Sequence, residues 1–196
     1  MADRADSNRE LSHKRTITLE GYARDDGHYD IEAELIDVKN HDFPSRAHGQ
    51  IKKNQPLHHM KVCVTVSEEM TILDASATTL AGPYNECPHG AENFQNLIGK
   101  SIQPGWKKIV AKAIGGRDGC THITELMGPV ATVAFQTIYG ERAKRRRQEI
   151  QSDQEQAPMA AMIGMMNSCY ALAEGSEAAN WYWDIPQTDR RAKKES

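Results

Sequence analysis

Residues able to do chemistry are concentrated at Gly119-Cys120-Thr121-His122-Ile123-Thr124-Glu125-Leu126, where a glycine-punctuated loop runs into the longest apolar-periodic stretch of the chain. A thiol, an imidazole and a carboxylate stand at one expected helix start. The free N–H groups and dipole of such an end favour anions and lower thiol pKa values. His122 and Glu125, three residues apart, are neighbours on a helix face at the border between its apolar and polar sides. Glu125 suits an orienting or proton-carrying role. The blander reading has Thr121 as a cap, His122 on a polar rim and Glu125 offsetting the dipole.

A second group of reactive side chains lies in His58-His59 and Cys87-Pro88-His89. His58-His59 precedes an alternating strand, Met60 to Val66, and Cys87 follows the strand that pairs with it. In an antiparallel hairpin the start of one strand and the end of the next share an edge, so these loops are expected to meet the Cys120 helix start. The acid–base reading takes His59 and His122 as proton carriers with Glu125 as orienter. The metal reading takes His59, Cys87, Cys120 and His122, with His89 in reserve. That donor set suits a single zinc or iron ion, although the spacing is not that of a zinc finger or ribbon. The expected cofactor is therefore none, or one such ion. A Cys–His nucleophile pair is formally available through Cys120, with no third orienting residue identifiable. Arg24, beside Asp25 and Asp26, is a candidate for holding a substrate carboxylate, and Trp181 a candidate for lining a pocket.

The elements that must position these residues are legible from periodicity. Residues 1–13 are polar and aperiodic, an expected disordered arm. Ile17, Leu19 and Gly21 share one strand face; Asp25-Asp26-Gly27 turns; Tyr29, Ile31, Ala33 and Leu35 then alternate with Asp30, Glu32 and Glu34. A loop with a short edge strand near Gln50 precedes a second β pair, Met60 to Val66 and Thr71 to Thr79. Helical spacing follows at Phe94, Leu97 and Ile98, at Trp106 to Ile114, and from Thr121 to near Arg147 with Pro129 inside. The expectation is an α+β domain over 14–150: an antiparallel four-stranded sheet with helices on one face and long C-terminal helices. A linker over 151–157, a Met-rich C-terminal helix with an aromatic clasp over 158–186, and a tail over 187–196 complete it.

A chain of 196 residues with a net charge of -3 announces no nucleic-acid footprint, and the Arg145-Arg146-Arg147 run suits a solvated helix end. No apolar run approaches a membrane span, and the polar N-terminus lacks a signal-peptide core. The four cysteines lie far apart, so reduced thiols and a cytoplasmic location are expected. The partners expected are a small-molecule substrate, with neither nucleic acid nor membrane, and a second copy of the chain through the Met-rich helix.

Arg24-Asp25-Asp26-Gly27, Pro56-Leu57-His58-His59-Met60, Gly119-Cys120-Thr121-His122-Ile123-Thr124-Glu125-Leu126 and Asn167-Ser168-Cys169 resemble a bacterial family defined as a domain of unknown function. The resemblance spans roughly Arg15 to Trp183 and implies an enzyme or accessory protein of the catabolism of aromatic and other unusual carbon compounds. It supplies no catalytic residues. The order of strand pairs, cysteine loop, short helices and Cys120 at a long helix is also similar to iron–sulfur scaffold proteins of the NifU N-terminal type. There Cys87 and Cys120 match two cysteine positions and His58-His59 replaces the third. Together these readings imply a lyase, hydratase or isomerase, including a carbon–carbon lyase releasing formaldehyde, or alternatively a metal-binding or scaffold-like accessory module without turnover.

Overall fold

The computed structural model describes residues 8–150 and 165–183, which divide into two compact units at the 141/142 boundary. Six strands come first: β1 (His13–Ala23), β2 (Tyr29–Lys39), β3 (Phe43–Ser45), β4 (Gly49–Ile51), β5 (Pro56–Val66) and β6 (Ile72–Ala81). A 3-10 segment, Cys87–Leu97, leads to helices α1 (Trp106–Ile114) and α2 (Thr121–Ile150). β1, β2, β5 and β6 form one antiparallel sheet in that order, and β3 pairs with β4 in a separate hairpin. The α+β architecture read from periodicity is the one observed.

Period-two alternation decides which side of the sheet is dry. Tyr29, Ile31, Ala33 and Leu35 of β2 and Met60, Val62, Val64 and Val66 of β5 are all buried, while Glu32 and Lys61 between them are exposed. Helix α2 lays Ile123, Leu126, Met127, Val130, Ala134 and Ile138 on that dry face at helical spacing. Its course is marked at two points. Arg15 of β1 meets Glu125 near the helix start, and Gly21 of the same strand leaves room for Thr137 three turns later. The helix therefore runs along β1 with its start over the β1-start end of the sheet. Trp106 docks α1 by donating its indole N–H to the Met127 carbonyl at 2.8 Å.

Two glycines set the position of the α2 start. A Cβ on Gly119 would overlap the Ile114 carbonyl oxygen, so only glycine lets the α1 end approach the loop so closely. A Cβ on Gly90 would stand 2.9 Å from Cys120 Cβ, which shows the 3-10 segment pressed against the residue before α2. The β3–β4 hairpin is tied in by Ser45, whose buried hydroxyl donates to the Pro83 carbonyl at 3.0 Å.

In the second unit a 3-10 turn, Tyr170–Leu172, precedes α3 (Glu177–Trp183). The described end of the expected Met-rich helix, residues 165–172, is turn and 3-10 structure instead of α-helix. Residues 157–164 of that helix, the tail and the side chain of Trp181 lie outside the described residues. Among the described residues no helix is long and apolar enough to cross a membrane.

Candidate functional site

The apolar stripes of three neighbouring strands all end in polar residues. Two positions before Ile17 on β1 stands Arg15, two after Leu35 on β2 stands Asp37, and two before Met60 on β5 stands His58. Strand register makes them direct cross-strand neighbours, Arg15 opposite Asp37 and Asp37 opposite His58. Register shifts between Asp37 and Val38 and between His59 and Met60 flank this row, local irregularities of the kind that re-aim side chains. The start of α2 then brings His122 down onto the row.

Asp37 is the centre of the cluster and is only 1% exposed. Arg15 donates to it side-on, Nε to Oδ1 and Nη2 to Oδ2, both at 2.8 Å. His58 Nδ1 lies 3.1 Å from Oδ2, His13 Nε2 3.2 Å from Oδ1, and His122 Nε2 3.7 Å from Oδ2. The His58 and His122 rings are in contact, centroids 4.0 Å apart and tilted by 32°. Arg15 reaches on through Nη1 to Glu125 at 2.5 Å, so Glu125 acts on the cluster by holding the guanidinium. On the far side of His122, Nδ1 is 3.7 Å from Cys120 Sγ.

These contacts fix the protonation pattern. Burial pulls the Asp37 carboxyl up, but hydrogen bonds from Arg15 and its charge, joined by His13 and His58, outweigh this and hold it below the usual carboxylate value. Burial lowers His58, and His122 beside it adds to the effect against the pull of Asp37. Burial also lowers His122, reinforced by Arg15 and opposed by Asp37 and Glu125. Both imidazoles are neutral at pH 7 on this account. With His58 Nδ1–H donating to Asp37, its Nε2 is the unprotonated nitrogen; with His122 Nε2–H turned toward Asp37, its Nδ1 is the acceptor facing Cys120.

His58 and His122 line a cavity of about 640 Å³ together with Cys87, Cys120, His89 and the apolar side chains of Met60, Pro83 and Tyr84. The expected meeting of the Cys87 loop with the Cys120 helix start is present. The histidine in it is His58. His59, one residue on, faces the other side of the sheet, where its Nε2 lies 2.7 Å from Glu34. The convergence expected through His59 is corrected on this point: β5 begins at Pro56, so both histidines are inside the strand and alternate in facing. Arg24 sits in the β1–β2 turn, paired with Asp26 and Asp30 at the opposite end of the sheet. His89, at the cavity wall, is paired with Glu92 at 2.6 Å and thereby raised above its ordinary pKa.

Sequence reasoning missed Arg15 and Asp37 and, of the pair His58-His59 that it named, took His59 as the site residue. The signal was parity: Arg15, Asp37 and His58 each continue an apolar stripe with a polar residue, which a buried face tolerates only when the group is partnered.

Asp37, His58 and His122 each offer a ligand atom, all within 4.8 Å of one another, a spacing that one ion bridges. Two histidines and a carboxylate suit zinc or non-haem iron in type. The neighbourhood does not suit a cation, since both Asp37 oxygens already accept from the Arg15 guanidinium and a divalent ion at Oδ2 would face that charge. The arrangement fits a proton network better than a metal centre.

An α+β domain with a paired-imidazole site at one end of its central strands is thus the class of protein the geometry defines. Residues 13–136 match the family described as "Protein of unknown function (DUF2889)", and the chain belongs to that family. No curated protein and no solved structure matches it, so the likeness to iron–sulfur scaffolds stays with the sequence pattern.

Proposed function

We propose that the protein is an enzyme of small-molecule catabolism working by acid–base chemistry at His58 and His122, a lyase in class. The observation that carries this is the pair of neutral imidazoles in ring contact, oriented by one buried carboxylate, at the wall of a cavity. One imidazole of such a pair acts as base and, once it has taken the proton, the pair holds the conjugate acid that returns it; positioned proton transfer contributes about 10²–10⁴-fold to a rate. Met60, Pro83 and Tyr84 give the cavity an apolar wall suited to an aromatic ring.

A carbon–carbon lyase releasing formaldehyde asks for little else. His58 Nε2 takes the proton of a hydroxymethyl group placed β to a carbonyl. As the C–O bond becomes C=O, the adjacent C–C bond breaks and its electron pair passes into the carbonyl as an enolate. Free N–H groups at the α2 start stabilise that anion, and the proton returns to carbon through the imidazole pair. Formaldehyde and the shortened carbonyl compound account for every atom. A hydratase or isomerase would use the same two proton positions.

The test is turnover of 3-hydroxy-1-arylpropan-1-ones with trapping of formaldehyde, in wild type and in His58→Ala, His122→Ala and His59→Ala. Loss of about 10²-fold or more in the first two, with His59→Ala within about twofold, supports the reading. Full activity in both His58→Ala and His122→Ala sinks it. The rival reading, a cation-binding module without turnover, draws on the 4.8 Å spacing. Stoichiometric zinc or iron in purified protein, lost on Asp37→Asn, would favour that rival.

A further inference from the structure

The acid–base reading makes no use of Cys120, yet among the described residues this thiol alone of the four has an imidazole against its sulfur. Its Sγ is 3.7 Å from His122 Nδ1, the nitrogen left unprotonated when Nε2–H points to Asp37. Sulfur, imidazole and buried carboxylate therefore stand in sequence along one line of contacts. Cys120 immediately precedes a 30-residue helix and its carbonyl accepts the Thr124 N–H at 2.9 Å, so the sulfur lies at the positive end of the dipole. Gly90 packs directly against Cys120, so closely that a Cβ there would stand 2.9 Å from Cys120 Cβ. The residue also lines the cavity.

The remaining thiols lack this setting. Cys63 is on the other face of the sheet, where burial and then the charges of Asp30, Glu32 and Asp74 push its pKa up to about 11. Cys169 belongs to the second unit and is exposed. Cys87 lines the same cavity, but among the described residues no imidazole or carboxylate is within hydrogen-bond reach of its sulfur.

We propose that Cys120 is a covalent nucleophile of the cavity, adding to the β-carbon of an aryl-substituted α,β-unsaturated carbonyl compound with His122 carrying the proton. In the addition the Sγ–C bond forms while the S–H proton passes to His122 Nδ1. The C=C π pair moves toward the carbonyl to give an enolate, and His122 returns the proton to the α-carbon. Nothing is oxidised or reduced, and elimination by the reverse path regenerates the thiol. A soft sulfur nucleophile matches a conjugated carbon, and the wall of Met60, Pro83 and Tyr84 accommodates the ring. The proposal shares the cavity of the lyase reading and is independent of its reaction.

The test uses the full-length protein and cinnamaldehyde at near-stoichiometric concentration, with adducts reduced by borohydride and each cysteine followed by peptide mass spectrometry. Cys120 is expected to be modified at least about tenfold faster than Cys87, and His122→Gln to cut the Cys120 rate about tenfold while leaving Cys87 unchanged. Equal rates at Cys120 and Cys87 in wild type overturn the proposal, as does a Cys120 rate indifferent to His122→Gln. Should Cys63 also accelerate in His122→Gln, marking an opened fold, the wild-type comparison of Cys120 with Cys87 decides alone. His58→Ala separates the two readings. It removes the base of the lyase reaction but not the proton path of the thiol, so lost turnover with retained Cys120 labelling leaves both standing. Turnover without preferential labelling in wild type removes only this one.

Discussion

Asp37 shows what a single buried carboxylate organises. Four groups on three elements besides its own turn toward it: His13 and Arg15 on β1, His58 on β5 and His122 on α2. Removing its charge in Asp37→Asn weakens both Arg15 hydrogen bonds to the buried carboxylate while Arg15 keeps Glu125, and a loss of about 1–3 kcal/mol in urea unfolding is expected. The imidazoles make a separate prediction for pH. Their folded pKa values lie below the ordinary 6.5, so as pH falls the unfolded chain binds these protons first. The stability they contribute is complete above about 6.5 and is lost as pH falls from there through the folded values. Urea midpoints compared at about pH 7.5 and about pH 5.5 should fall in wild type and change less in the His58→Gln, His122→Gln double variant. Turnover should follow the same acidic limb, since protonated His58 cannot act as base.

At the level of elements, the site depends on where α2 begins. Its start is set by the close approach of Gly119 to the Ile114 carbonyl and of Gly90 to Cys120. Gly119→Ala places a methyl against backbone that cannot rotate away, so α1 and α2 must separate. About 1–3 kcal/mol of destabilisation is expected, together with a loss of turnover larger than the change in folded population explains. Glu125→Gln is milder, because Glu125 is half exposed and touches the cluster only through Arg15. A few-fold loss of turnover without a change in unfolding midpoint is the outcome expected of a positioning residue.

For the whole molecule, the family match ends at residue 136 and the hydrophobic core of the first unit ends at Ile138. Every residue of the Asp37 cluster and of the cavity lies before the unit boundary at 141. A chain ending after Glu141 is expected to unfold cooperatively and to retain the His58 and His122 imidazole signals in NMR titration. Loss of the transition in that chain would mean that residues beyond 141 complete the core.

The alternation of Tyr29, Ile31, Ala33 and Leu35, the run from Met60 to Val66 and the helical spacing from Ile123 to Ile138 determined the fold class by themselves. Side-chain periodicity is a local property, set by backbone geometry within each element. The same periodicity, followed two residues further along each strand, reaches Arg15, Asp37 and His58. Choosing His59 over His58 came from placing both histidines ahead of the strand, a boundary that pattern alone leaves uncertain by a few residues. What no local pattern contains is the partner of each polar group. Arg15 and Glu125 are 110 residues apart, and Asp37 and His58 are 21 apart. Strand register and the placement of the α2 start bring them together. The segment from Gly119 to Leu126 was legible as a reactive helix start; that its imidazole would rest on a second one, above a carboxylate from β2, was decided by tertiary packing, because only the paired strands with α2 laid on them supply the partners that offset the desolvation cost of that burial.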